Sequence, residues 1–237
     1  MIWDRLSIME ILSNGFTLEI CPGAFPLSTD SIALADFAKL PKNAQVLDLG
    51  AGCGTLGLLL CAKDPSCRVT GLELDENAHL TALRNIEANA LSGRLSSICA
   101  DLTQIPHFMA GKFHVCISNP PYFTAGPASQ TLKAARREDQ CSMEQLFTSA
   151  AKALRYGGDF YLVHRPERLA QLCSCASNAD LEPKRLCLLR HKADGPVTLI
   201  LVQCRKGGRP GLIWQEASLC HSDGSPTDYY RTLYKEA

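Results

Sequence analysis

"VLDLGAGCGTLGLLL", residues 46–60, sets one apolar run against a second, with glycine at positions 50, 52 and 54 between them. The first run reads as a buried strand, the second opens a helix, and the glycines make the turn that joins them. In an open α/β sheet such a turn stands at the carboxyl end of its strand, where ligands bind. Glycine suits that place because a Cβ would fill the space into which ligand atoms must come.

On either side of this unit the pattern alternates. Upstream, residues 8–12 and 16–20 flank "SNG" as the arms of a hairpin, and Ser28, Thr29 and Asp30 offer N-caps to an amphipathic helix through "SIALADFAKL" that Pro41 stops. Downstream, "RVTGLEL" is a strand, "ENAHLTALRNIEANAL" a helix ending near Gly93, and "LSSICA" and "FHVCISN" two more strands. "MEQLFTSAAKAL" follows as a helix, "GDFYLVH" as a strand and "PERLAQLCSCASN" as a helix. Strands alternating with helices make βαβ units, hence an α/β fold whose mostly parallel sheet is covered on both faces. Past Pro183, "RLCLLRH" and "TLILVQCR" read as an antiparallel hairpin that closes the sheet, and from Gly211 on the pattern favours neither helix nor strand. No repeat or linker divides the chain. One domain is expected over residues 1–237, with the hairpin and helix in 1–44, a core in 45–205, and a basic loop and tail in 206–237.

At 237 residues, 46% hydrophobic and 20% charged, the chain can bury a full core. Its formal charge is zero, yet residues 1–118 hold 8 Lys+Arg against 12 Asp+Glu while residues 119–237 hold 16 against 12. Within 181–210, Lys184, Arg185, Arg190, Lys192, Arg205, Lys206 and Arg209 stand against only Glu182 and Asp194, a stripe that suits an anionic partner or a solvated face. Twelve cysteines are scattered without a C-x-x-C pair or histidine at zinc spacing, so no metal is expected; several sit in apolar runs as small hydrophobes. The N-terminus mixes charges with apolar residues, and no apolar run nears the roughly 20 residues of a membrane span. A reducing cytoplasm is the expected location, with no membrane partner.

Two acids qualify the ligand of the glycine turn. Glu73 ends the next strand, 23 positions after Gly50, where a carboxylate can take hydrogen bonds from two ribose hydroxyls. A dinucleotide site shares that spacing, but its G-x-G-x-x-G fingerprint asks for glycine where this chain has Thr55. Asp48, at the base of the turn, would repel a pyrophosphate and favour the ammonium and sulfonium of S-adenosylmethionine. Capping of backbone amides in the turn is its other reading.

"VLDLGAGCG" resembles motif I of the class I S-adenosylmethionine-dependent methyltransferases. The resemblance implies a Rossmann-like fold with a mostly parallel seven-stranded sheet, helices on both faces and an antiparallel C-terminal hairpin. It also implies a cofactor site made of Asp48, Gly50, Ala51 and Gly52, of Glu73 and Leu74 at the ribose, and of Asp101 and Leu102 at the adenine amine. "STDS", with Thr29 and Asp30, matches the segment that closes over the methionine end of the cofactor.

"SNPPYF", residues 118–123, follows the strand "FHVCI" and should face the same crevice. An exocyclic amine on a conjugated ring is a poor nucleophile because its lone pair is delocalised. Acceptors on both N–H groups, the Asn119 side-chain oxygen and the Pro120 carbonyl, favour a more tetrahedral nitrogen whose lone pair points at the methyl. Pro121 restricts Pro120 to an extended conformation and so aims that carbonyl. Tyr122 offers a stacking face for the target ring, and Phe123 a second wall. Asn119-Pro120-Pro121-Tyr122 resembles motif IV of amino-methyltransferases, whose substrates are adenine, guanine or glutamine amide nitrogens; Asn119 then also borders the cofactor.

Over nearly its full length the chain resembles the bacterial tRNA(Val) adenine-N6 methyltransferase family, through "FPLSTDSIALADF", "NPPYF", "YLVHRPERLAQL", "LEPKRL" and "RKGGRPGL". That resemblance implies tRNA as partner, with the adenine 3′ of the anticodon as target, and a monomer or weak dimer. It makes Lys133, Arg136, Arg137, Arg165, Lys206 and Arg209, with Arg168, Lys184 and Arg185, candidates for phosphate contacts. A glutamine methyltransferase acting on a release factor, and a non-catalytic RNA module that binds S-adenosylmethionine, are the other readings. The first usually carries a helical domain ahead of motif I, where this chain has only 45 residues.

Overall fold

The computed structural model describes residues 7–120 and 141–234. The hairpin arms are β1 (Ile8–Ile11) and β2 (Thr17–Ile20), paired antiparallel, and α1 (Thr29–Phe37) follows. The glycine unit is β3 (Gln45–Leu49) running into α2 (Thr55–Lys63). Next come β4 (Arg68–Glu73), α3 (Glu76–Ala88), β5 (Leu95–Cys99) and β6 (Phe113–Ser118). After residue 140 lie α4 (Met143–Ala153), β7 (Leu154–His164), α5 (Leu169–Asn178), β8 (Leu181–Lys192), β9 (Val197–Lys206), β10 (Ile213–Cys220) and α6 (Asp228–Tyr234). Local chemistry starts the helices: the Asp75 side chain accepts from Ala78 N ahead of α3, and Ser142 and Gln145 form a reciprocal capping box ahead of α4.

The main sheet has the order β10-β8-β9-β7-β6-β3-β4-β5. Strands β7, β6, β3, β4 and β5 are parallel, and β9 is antiparallel to both β7 and β8. The expected closing hairpin is therefore β8–β9. The sheet holds eight strands where seven were expected, because the tail adds β10 parallel to β8 at the edge. Residues 206–237, expected as a basic loop and tail, thus carry a strand and a short helix. Strand pleating sorts the core: Val46, Val115, Ile117, Tyr161 and Val163 face the layer that includes α1 and α2, while Leu47, Cys116, Phe160 and Leu162 face α4 and α5. Phe147 on α4 meets Phe160 edge-on at 5.2 Å.

Strand direction also sorts the charges. Parallel strands β3, β4, β6 and β7 point their carboxyl ends the same way, so β9, running back, carries its own carboxyl end to the opposite pole. Arg205 pairs across from Asp159, and Asp159 from Val115, four residues before Asn119. That is roughly 13 Å down the strand at 3.3 Å per residue. Lys206 and Arg209, expected as candidates for phosphate contacts, lie further still from the cavity. Lys206 Nζ donates to the carbonyls of Ala151 and Leu154 at the end of α4. Lys184 Nζ donates to the Arg209 carbonyl, and Arg205 pairs with Asp159 through two bonds of 2.9 Å. Much of the basic stripe is structural.

Helix α1 is held at both ends. Thr29 Oγ1 lies 2.7 Å from Tyr234 Oη of α6. At its other end Lys63 Nζ donates to the carbonyls of Ala35, Asp36 and Ala38, filling acceptors that a helix end leaves open. Arg185 stacks 4.1 Å from the centre of the Phe37 ring and donates to the Phe37 carbonyl.

Candidate active site

A cavity of about 620 Å³ opens at the carboxyl ends of β3, β4 and β6, a size suited to a small cofactor with part of a substrate. Its floor is the glycine turn. Gly50, Gly52 and Gly54 have φ of +78°, +55° and +86°, left-handed values that strain most side chains, so glycine is the unstrained choice at each. The amides of Gly50 and Ala51 both donate to the Leu72 carbonyl, and Glu73 Oε2 accepts from Gly52 N at 2.7 Å. Beneath the turn Gly71 leaves room for it: a Cβ there would stand 2.7 Å from Ala51 Cβ. Gly71→Ala should therefore push the turn off the sheet, costing ~1–3 kcal/mol of overpacking and weakening S-adenosylhomocysteine binding about tenfold. Thermal melting and titration calorimetry check both, and a variant that binds like the parent would show that the turn does not need this room.

Most of the expected cofactor residues line this one cavity: Asp30, Gly50, Ala51, Gly52, Glu73, Leu74, Asp101, Leu102 and Asn119. Glu73 spends one lone pair on Gly52 N and one on Asp75 N, leaving two of its roughly four for sugar hydroxyls. Asp101 Oδ1 accepts from the amide and hydroxyl of Thr103, which fixes the carboxylate at the cavity wall. Burial raises the Asp30 carboxyl above its ordinary value, and the nearby Arg165 charge opposes that rise. Thr29 and Asp48 are the exceptions: the Thr29 hydroxyl turns to Tyr234, and neither residue is on the wall.

Asp48 lies one residue behind the wall at 1% exposure, and neither carboxylate oxygen has a hydrogen-bond partner among the described residues. Burial, and secondarily the Glu73 charge, push its carboxyl up to about 8. It does not cap the turn amides, which is the alternative its position allowed. A buried acid with no donor is destabilising unless something cationic or donating reaches it. Its chain neighbours Leu49 and Gly50 line the cavity, and a ligand carrying an ammonium and a sulfonium fits that demand.

Asn119 and Pro120 line the same cavity. Asn119 Nδ2 donates to Ser31 Oγ of α1 at 3.0 Å. Just before it, Ser118 Oγ donates to the Leu49 carbonyl at 2.7 Å, tying the end of β6 to the end of β3. Arg165, exposed after β7, donates to the Thr198 carbonyl and stands at the same pole as the cavity. Tyr122, Phe123, Lys133, Arg136 and Arg137 lie outside the described residues. Of the other wall residues, Cys21 and Cys141 lie in no motif of the sequence, while Phe25, Cys53 and Ser31 entered only inside the longer stretches "FPLSTDSIALADF" and "VLDLGAGCG". Phe25, 65% exposed between Pro22 and Pro26, could not be told from a loop residue, and Ser31, within "STDS", was expected at the cofactor or a helix start and not at Asn119.

The model of the methyltransferase small domain matches residues 30–171. The tRNA1(Val) (adenine(37)-N6)-methyltransferase of Shewanella halifaxensis is 34% identical over 175 residues, 72% of this chain and 70% of its own. The enzyme of that name from Photobacterium profundum is 28% identical over 89% of this chain and 90% of its own. Among solved structures, a predicted O-methyltransferase of Agrobacterium tumefaciens superposes with a TM-score of 0.74 at 21% identity, covering 87% of this chain and 96% of that one. A T. thermophilus 16S rRNA N2 G1207 methyltransferase, in complex with AdoMet and guanosine, gives 0.60 at 22% identity over 85% of this chain and 50% of its own, a likeness of fold. With the glycine turn, the two acids at the strand ends and Asn119 brought to one cavity, the chain belongs to the methyltransferase small-domain family and, within it, to the tRNA1(Val) (adenine(37)-N6)-methyltransferase family.

Proposed function

We propose that this protein transfers a methyl group from S-adenosylmethionine to the exocyclic N6 of an adenine in tRNA, the adenine 3′ of the anticodon in tRNA1(Val). The observation that carries the reading is the Asn119 side chain on the cavity wall: its nitrogen is held by Ser31, and its oxygen takes no hydrogen bond from the described residues. When bound, S-adenosylmethionine supplies an electrophilic methyl on a sulfonium. Asn119 Oδ1 accepts one N–H of the target amine and the Pro120 carbonyl the other, which draws the nitrogen lone pair out of conjugation. Asp48 balances the cationic end of the cofactor, Glu73 takes its ribose hydroxyls and Asp101 its adenine amine. Rate comes chiefly from alignment, and well-oriented reacting pairs gain roughly 7 to 11 kcal/mol. Tyr122 and Phe123 stack the flipped base, as enzymes acting on bases commonly do.

The anticodon loop approaches the pole of the sheet that carries the cavity and Arg165, with Lys133, Arg136 and Arg137 of the neighbouring segment as further phosphate contacts. The proposed setting is a monomer or weak dimer in the cytoplasm, where tRNA is met; among the described residues no helix is long and apolar enough to cross a membrane. Labelled methyl transfer, offered in parallel to bulk tRNA, DNA, free nucleotides and a release factor and followed by nucleoside analysis, tests the reading. N6-methyladenosine in tRNA is the expected product. Label in the release factor, or none in any acceptor, would overturn it.

A further inference from the structure

We infer that Ser31 is a positioning residue for methyl transfer, acting by pinning the Asn119 carboxamide at the cavity wall where its oxygen can meet the incoming amine. The inference rests on the reading of Asn119 as the acceptor for that amine. A primary carboxamide is close to symmetric in shape, and its terminal torsion is broad and roughly two-fold. Left alone it presents its NH2 to the cavity about as readily as its oxygen. Facing an amine, the NH2 end sets donor against donor, and only the oxygen can take a hydrogen from the substrate. The productive orientation therefore turns Nδ2 away from the amine, and in the structure Nδ2 meets Ser31 Oγ at 3.0 Å. Ser31 Oγ accepts from Nδ2 in that orientation and, being a hydroxyl, can donate to Oδ1 in the other; what it fixes is the place and plane of the carboxamide, and the substrate amine then selects the oxygen-facing end.

The geometry makes Ser31 a fixed partner. It is 7% exposed and lines the cavity, so water competes poorly for the bond. It sits on α1, which Tyr234 anchors at one end and Lys63 and Arg185 at the other. Asn119 is fixed from its own side by the Ser118 bond to β3. The two partners are 88 residues apart in sequence.

Steady-state kinetics with saturating S-adenosylmethionine and tRNA test the inference. Ser31→Ala is expected to lower kcat roughly 10- to 100-fold, the scale of a misplaced reacting group. The KM for tRNA and the Kd for S-adenosylhomocysteine should stay within about twofold, and Ser31→Thr, which keeps the hydroxyl, should recover most of the rate. In the Asn119→Ala background, adding Ser31→Ala should cost nothing more, because the serine acts through the asparagine. Thermal melts read folding separately: a Ser31→Ala variant that melts early is judged by the threonine variant and the double mutant. A full second loss in the double mutant, or a Ser31→Ala enzyme with normal kcat beside an inactive Asn119→Ala, would overturn this inference alone. An active Asn119→Ala enzyme would instead overturn the reading beneath it.

Discussion

Asn119→Ala should lose methyl transfer by roughly 10²- to 10³-fold at saturating cofactor, the effect of removing one preorganised polar group from a transition state. The same variant should bind S-adenosylhomocysteine within about threefold of the parent. The split follows from the site's layout. Asn119 ends β6, next to the glycine turn but not part of it, and its hydrogen bond runs to α1, away from Glu73 and Asp101. Truncation removes an acceptor for the substrate amine and leaves the cofactor cradle standing. Single-turnover rates with labelled methyl and calorimetric titration measure the two halves. Equal losses of both would mean that Asn119 serves binding, and the proposed chemistry would fail.

Asp48→Asn should do the reverse: weaken the cofactor by ~10- to 100-fold, as loss of a charge-assisted interaction does, and raise the stability of the cofactor-free protein. Burial holds the Asp48 carboxyl near 8 in the folded chain, far above its value in an unfolded one. A group whose folded pKa is raised favours folding in its protonated form. Its contribution is whole below about 4, where both states hold the proton, and drains away as pH rises towards 8. Each unit in that window corresponds to about 1.4 kcal/mol before relaxation of the surroundings, so a gain of ~1–3 kcal/mol for the asparagine variant near neutral pH is a moderate expectation. A cation beside Asp48 draws the proton off, so the parent should bind cofactor more tightly as pH climbs from 6 to 8, releasing a proton that calorimetry in buffers of different ionisation enthalpy detects. Asp48→Asn should abolish that release. A variant that is less stable at every pH would mean the carboxylate has a folding partner, and the electrostatic account would fall.

The parts of the fold that were legible are those whose side chains repeat. Strands β3 to β7 and helices α3 to α5 carry apolar periods or caps that survive without their neighbours; α1 and α2 have neither an amphipathic period nor a side-chain cap, against the amphipathic α1 that was expected, and show in sequence as apolar runs between breakers. β10 was hidden because only its last residues bury anything: Ile213 and Trp214 are 62% and 59% exposed on an open edge, so no alternation marks it. α6 has seven residues and one buried leucine, too short for a period. Spacing found the cofactor wall, since a turn and the strand ends beside it are local features. It could not pair Ser31 with Asn119, 88 residues away, nor tell Arg165 from Lys206. Those two look alike in sequence, and only the reversal of β9 sends one to the cavity pole and the other to the far pole.

That reversal divides the last third of the chain by task. The turn over residues 193–196 and the turn over 221–226 both emerge at the cavity's pole of the sheet, on strands two to four places from β6, and the Ala193 amide donates to the Cys220 carbonyl where they meet. Neither holds a catalytic group, and both are exposed over most of their length. Lineages could therefore retune which nucleic acid is accepted by editing these two loops, while the opposite rim, bound up in lysine and arginine clamps, preserves the frame on which every such experiment of evolution would be run.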